Sequence, residues 1–221
     1  MRQLIFVPDM HNIQNLGVNL STDYLSSVKD DVKEAERDAQ IVRELVEQAI
    51  ACSDLDFSKV KVFAETVFQD GGSTSSPIAR LFPVPLSKTE DRSIYYEMAE
   101  VAQVLVNLLL GEEIPENEYQ DEELPEALAL RLDDLNIKRE RAVAENINSE
   151  LQDGEVGILI MGALHSRIMD NLAEDIEVEY LSPELRNYVE DPEETLDHSF
   201  YSALFEENEV AIVKELDGKE R

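Results

Sequence analysis

The sequence predicts an α/β fold, a mostly parallel sheet with helices on both faces and a site at the carboxyl ends of its strands. Three observations predict it. Strand-like and helix-like segments alternate along the 221 residues, the pattern of βαβ units. Residues 156–164 form an unbroken apolar run, as in strands covered on both faces of a parallel sheet. Two long segments carry apolar stripes at helical spacing. The length suits one domain, taken as residues 1–221, with residues 69–125 a loop-rich and helical insertion within it.

Residues 2–10 read as the first strand, apolar through Val7 and closed by Pro8-Asp9. Residues 12–25 are polar and Asn-rich, a loop. Ser27, with Asp30 three residues on, is a helix N-cap candidate. Val28, Val32, Ala35, Ala39, Val42, Val46 and Ala49 then recur at spacings of four and three, the stripe of a helix of about 24 residues. Residues 60–67 are β-branched and aromatic, a second strand. Residues 69–91 hold two Gly, three Pro and a Ser/Thr cluster, which is loop chemistry. A helix follows at 94–110. Residues 112–124 are acidic and expected to be mobile. Pro125 suits the first turn of a helix that runs to Asp153-Gly154, where glycine is a natural stop. After the strand at 156–164 come a short helix at 166–173 and a strand at 176–181. Past Pro183 the pattern weakens, with 210–214 an edge-strand candidate.

Composition narrows the function classes. With 43% hydrophobic residues the chain can bury a sizeable core, although 19 basic and 49 acidic side chains leave a charge of -30. That charge opposes nucleic acid and anionic lipid, which bind Lys and Arg. Nucleic-acid and membrane partners are therefore not expected; a small-molecule or peptide substrate is, and self-association through helix faces stays open. The acidic excess reads as a solvated, self-repelling surface, with adaptation to high salt an alternative suggested by only eight lysines. A single cysteine, Cys52, excludes an internal disulfide framework and a Cys-rich zinc knuckle. No apolar run approaches the ~18 residues of a membrane span, and the short apolar run at the N-terminus lacks a signal-peptide pattern. A cytoplasmic location is the expectation.

Chemistry-bearing residues fall at the ends of three strands. The first ends Pro8-Asp9-Met10-His11, the second carries Phe63-Ala64-Glu65, and the third ends Gly162-Ala163-Leu164-His165. Doubly wound sheets bind ligands there. Imidazole and carboxylate converging on one point can bind a divalent metal or transfer protons. His11, Glu65 and His165 are thus candidate catalytic residues and candidate metal ligands, and Asp9 is a further candidate or a turn cap. The long helix adds Arg139, which continues the row Leu128, Leu132, Leu135 into Val143 and Ile147. A charge in a core-facing row is costly without a partner, so Arg139 is a candidate for a pocket-facing role. Arg141, about 200° further round the helix, reads as surface. His198 reads as a solvated loop residue and Cys52 as an inert thiol. No nucleophile elbow, phosphate-cradling loop or dinucleotide fingerprint is present.

The segment Arg139-Glu140-Arg141-Ala142-Val143-Ala144, followed by the strand ending Gly162-Ala163-Leu164-His165, resembles the superfamily of ChaN-like, TraB, TIKI and erythromycin-esterase proteins. Pro8 and Glu140 stand where its motifs have glycine and asparagine. The resemblance implies the family arginine at Arg139, motif histidines at His11 and His165, and the strand-end glutamate at Glu65. It also implies a choice among metal-dependent peptidase, esterase and haem-binding activities. The leading expectation is hydrolysis of an ester or amide by His11, Glu65, His165 and Arg139, with or without a divalent metal. The alternative is a non-catalytic binder of a small molecule, haem included, with Tyr95, Tyr96 or Phe82 as aromatic walls.

Overall fold

A computed structural model of the chain describes residues 2–9, 29–109, 124–162 and 165–190. The expected α/β architecture is observed. Strands β1 (Arg2–Asp9), β2 (Val60–Ala64), β3 (Leu86–Ser87), β4 (Val156–Gly162) and β5 (Ile176–Tyr180) form one parallel sheet in the order β3-β2-β4-β1-β5. The described helices are α1 (Lys29–Cys52), α2 (Arg92–Leu109), α3 (Leu124–Glu150) and α4 (Pro183–Glu190).

Strand β4 lies between β1 and β2, and its apolar run is explained by the two cores it separates. Ile5 and Val7 of β1, Val60, Val62 and Ala64 of β2, and Ile158 and Ile160 of β4 point to one face. There they meet Val42 and Val46 of the α1 stripe, Leu185 of α4, and Ile78 and Phe82 of the β2–β3 connection. The alternate residues Leu4, Phe6, Phe63, Leu159 and Met161 point the other way, onto Val143, Ala144, Ile147 and Leu151 and onto Ile168 of the 3-10 turn Ser166–Asn171. Period-two alternation with both faces buried is why neither β1 nor β4 shows a polar rhythm. Helix α2 packs on the N-terminal half of α3 through Val101, Leu105, Leu128 and Leu135.

Several boundaries differ from the sequence expectation. Strand β2 stops at Ala64 because Thr66 adopts a positive φ of 66°, which turns the chain out of the sheet. The segment expected to be loop contains β3, whose Leu86 and Ser87 pair with Val62 and Phe63. Two residues directly after Pro85 carry too little pattern to be read as a strand. Helix α4 was missed for a similar reason, being eight residues long and anchored chiefly by the fully buried Leu185. Helix α2 begins at Arg92, with the Asp91 carboxylate accepting from the amides of Ser93 and Ile94. Helix α3 stops at Glu150, short of the expected Asp153-Gly154, and Gly154, at φ 82°, lies in the turn that leads into β4. The loop at 12–25, the acidic stretch at 112–123, the strand candidate at 210–214, His11 and His198 lie outside the described residues.

Ile158 is wholly buried on the middle strand, touching the core beneath α1. Truncation there leaves a cavity that a sheet cannot close by local collapse. Ile158→Ala is expected to cost about 2–5 kcal/mol, read from the shift in the urea unfolding midpoint. A loss well under 1 kcal/mol would contradict the two-faced burial described above.

Candidate functional site

Beyond the carboxyl ends of β2 and β4, helix α3 delivers a charge to the edge of the core that it shares with the sheet. Arg139 is 3% exposed, and its guanidinium is gripped by two glutamates. Its Nη2 donates to Glu65 and to Glu90, and its Nε donates to Glu90 at 3.0 Å. Glu65 directly follows β2, its amide donating to the Ile160 carbonyl of β4. Glu90 sits just before α2 and is wholly buried.

Both glutamates are held by their backbones. The Thr89 hydroxyl accepts from the Ala64 amide at 3.0 Å, and the amides of Thr89 and Glu90 both donate to the Val67 carbonyl. From α3, the Asn146 side chain donates to the Thr89 carbonyl. On the other side of Glu65, Thr74 donates from its hydroxyl to the Glu65 carbonyl at 2.6 Å. The positive φ of Thr66 belongs to this same turn, which aims Glu65 inward rather than along the strand.

His165 completes the cluster. Its Nδ1 lies 3.1 Å from Oε1 of Glu140 and its Nε2 lies 3.3 Å from Nη1 of Arg139. A guanidinium only donates and a carboxylate only accepts. The ring therefore donates from Nδ1 to Glu140 and accepts at Nε2 from Arg139. The side chain of His165 keeps 14% exposure, against 4% for Arg139 and 5% for Glu140, so the imidazole is the group of this set most open to solvent. The Tyr95 ring covers the guanidinium, its centroid 5.7 Å from the Arg139 Cζ.

The electrostatics follow from burial. Desolvation alone would weaken the Arg139 charge, but Glu65 and Glu90, by charge and hydrogen bonding, outweigh it and hold its pKa above the ordinary guanidinium value. Burial pushes the Glu90 carboxyl up, opposed by Arg139 and reinforced by the charge of Glu65. Burial also raises the Tyr95 phenol, with Glu90 and Glu65 adding to the rise. One oxygen each of Glu90 and Glu140 is buried with no hydrogen-bond partner among the described residues.

Of the residues singled out in the sequence, Glu65, Arg139 and His165 thus meet at one point. Asp9 is buried at the end of β1, opposite Gly162 of β4. Arg141 is exposed, as expected, and so is Cys52. Phe82 is not a site wall; it lies in the core under α1, while Tyr95 and Tyr96 stand beside Arg139 and Phe68. Two residues of the cluster were missed. Glu140 had a signal: it continues the buried row Ala144, Ile147, Leu151 backward by four, as Arg139 continues its own row. Glu90, inside the polar run Ser87-Lys88-Thr89-Glu90-Asp91, had none.

Among the described residues, no three histidine, cysteine, aspartate or glutamate side chains are placed to hold a metal ion. Both nitrogens of His165 are engaged, and Arg139 takes Oε1 of Glu65. A metal using these two would have to displace the guanidinium. Comparison with protein-family models, with curated proteins and with solved structures finds no match.

A carboxyl group whose pKa is higher folded than unfolded keeps its proton longer in the native state, so its ionisation costs stability as the pH rises. Glutamine carries no such proton. Relative to wild type, Glu90→Gln is therefore expected to gain stability as the pH climbs above the ordinary glutamate value of 4.5, by up to about 1.4 kcal/mol per pH unit. Thermal midpoints of both proteins between about pH 4 and pH 8 check this; a difference that stays flat or shrinks with pH contradicts it.

Proposed function

We propose that the chain is a hydrolase of an ester or amide substrate, with His165 as the proton-transfer group. The observation that supports it is the imidazole held at a strand end between a buried carboxylate and a buried guanidinium. A carboxylate on Nδ1 fixes the tautomer that leaves Nε2 able to take a proton, the logic of a carboxylate-oriented general base. The 3.3 Å contact between Nε2 and Nη1 of Arg139 is the longer of the two that hold the ring. Substrate can exchange for it at little cost.

In the proposed reaction a water attacks the substrate carbonyl carbon while Nε2 of His165 takes its proton. The carbonyl π electrons move onto oxygen, and Nη1 of Arg139 stabilises that oxyanion. Glu65 and Glu90 hold the opposite edge of the guanidinium, so it need not reorganise. Collapse of the intermediate breaks the bond to the alcohol or amine, which leaves with the proton returned by His165. Each step uses groups of the cluster and none is routed through a metal.

The resemblance to the ChaN, TraB, TIKI and erythromycin-esterase superfamily supports the same reading and adds His11, with Glu65 and His165, as a donor set for a divalent ion. A cytoplasmic location belongs to the proposal too, supported by a free and exposed Cys52. Among the described residues no helix is long and apolar enough to cross a membrane. The second reading, a small-molecule binder without catalysis, is favoured by the aromatic group of Phe68, Tyr95 and Tyr96.

His165→Ala is expected to lower kcat on 4-nitrophenyl esters or fluorogenic amides by about a hundred- to ten-thousandfold, with the circular dichroism spectrum retained. Glu140→Gln should fall in the same direction by a smaller factor. Turnover unchanged in His165→Ala would sink the assignment. For the metal, mass spectrometry after a high-salt wash separates ions held loosely by the acidic surface from a true site. Near-stoichiometric metal lost in His11→Ala/His165→Ala supports the donor set; equal retention in both proteins rejects it.

A further inference from the structure

The rim of the cluster carries a feature that the acid–base groups do not use. From Arg139 the Tyr95 ring leads outward to Phe68, at 5.3 Å between centroids, and Phe68 lies stacked on Tyr96 at 6.2 Å with 27° between planes. Tyr95 and Tyr96 also meet edge to face at 5.8 Å. Three rings from two elements, the turn after β2 and the start of α2, thus form a continuous wall beginning at the buried guanidinium. The wall ends in solvent. Tyr96 is 54% exposed and is the only aromatic side chain among the exposed large hydrophobic residues described.

Beside this wall stands a cation in an unfavourable place. Arg92 opens α2, where the helix dipole favours acids and penalises bases. In a chain with 49 acidic residues, Arg92 makes no ion pair among the described residues. It lies instead over the Phe68 ring, 5.4 Å from the centroid. A guanidinium on an aromatic face keeps its outward N–H groups available. Wall and cation together match a flat ring bearing a negative group, the ring stacking on Tyr96 and the anion meeting Arg92. Over most of this surface an anion would be repelled by the charge of -30, so a local cation at the mouth of the cluster is selective.

We propose that Phe68, Tyr95, Tyr96 and Arg92 form a subsite for a flat aromatic group carrying an anionic substituent, such as an aromatic carboxylate. As a substrate class this rests on the hydrolase reading of the adjacent cluster; as a binding site it does not. A substrate seated there has its aromatic part against Tyr95 and Tyr96, and its scissile bond directed along the wall toward Arg139 and His165.

The test is isothermal titration of the full chain with 2-naphthoate, compared with 2-naphthol and cyclohexanecarboxylate. Wild type is expected to bind 2-naphthoate saturably and most tightly. Tyr96→Ala and Arg92→Gln, both exposed positions that leave the core untouched, should each weaken it by about tenfold. Binding of 2-naphthol should be weaker and indifferent to Arg92→Gln. The subsite is overturned by absence of saturable binding, by unchanged affinity in either variant, or by equal binding of the non-aromatic acid. Because calorimetry reads binding without turnover, the two readings fail separately. Specific naphthoate binding without hydrolysis of any ester would leave the subsite and remove the hydrolase. Hydrolysis with no effect of these variants on binding would do the reverse.

Discussion

The organisation of the strand ends depends on one buried guanidinium. Taking Arg139 out of water costs several kcal/mol unless its N–H groups find acceptors. It finds them in Glu65, Glu90 and His165, drawn from the end of β2, the turn before α2 and the segment after β4. The interaction is therefore a clamp among elements that are distant in sequence. A slide of α3 by one turn would carry Arg139 about 5.4 Å away and leave two carboxylates buried without their cation. Such pairs are weak as net stabilisers, whereas removing one partner is strongly destabilising because it leaves the other charge buried and uncompensated. Bulk stability here comes from the two apolar cores; the clamp sets which way α3 and the 65–90 connection face each other.

How much of this was legible in one sequence can be judged residue by residue. Arg139 was legible because helical periodicity made its position core-facing, and a lone charge in such a row needs an explanation. Glu65 and His165 were legible because strand ends are where parallel sheets present side chains. Their convergence followed from β2 and β4 being neighbours. That adjacency was not itself readable: β1, β2 and β4 are all apolar, and nothing in their composition says which lies in the middle.

The residues that were missed failed for a different physical reason. Glu90 owes its burial to long-range geometry, the capture of the Thr89 and Glu90 amides by Val67 and of the Thr89 carbonyl by Asn146. Locally it is an acid in a polar run before a helix, indistinguishable from a solvated one. Glu140 lay on a readable stripe but was masked by its neighbours, since Lys138, Glu140 and Arg141 together resemble an exposed charged face. Strand β3 was too short for periodicity to register, because two residues cannot display a period of two.

The acidity of the surface and that of the cluster are distinct matters, although both are built from glutamate. Surface acids are screened within a Debye length of about 8–10 Å in ordinary salt, and each can be removed with little consequence. Glu65, Glu90 and Glu140 lie where screening is weak, and one guanidinium is not enough cation for three carboxylates. The imbalance is met in two ways visible in the geometry: Glu90, the most buried, is pushed toward its protonated form, and Glu140 turns to the Nδ1 proton of His165. The histidine is thereby joined to the same hydrogen-bonded network as the carboxylates that hold Arg139. Deleting any one carboxylate removes a partner from that shared network, so the roles of its five side chains cannot be separated by single deletions alone.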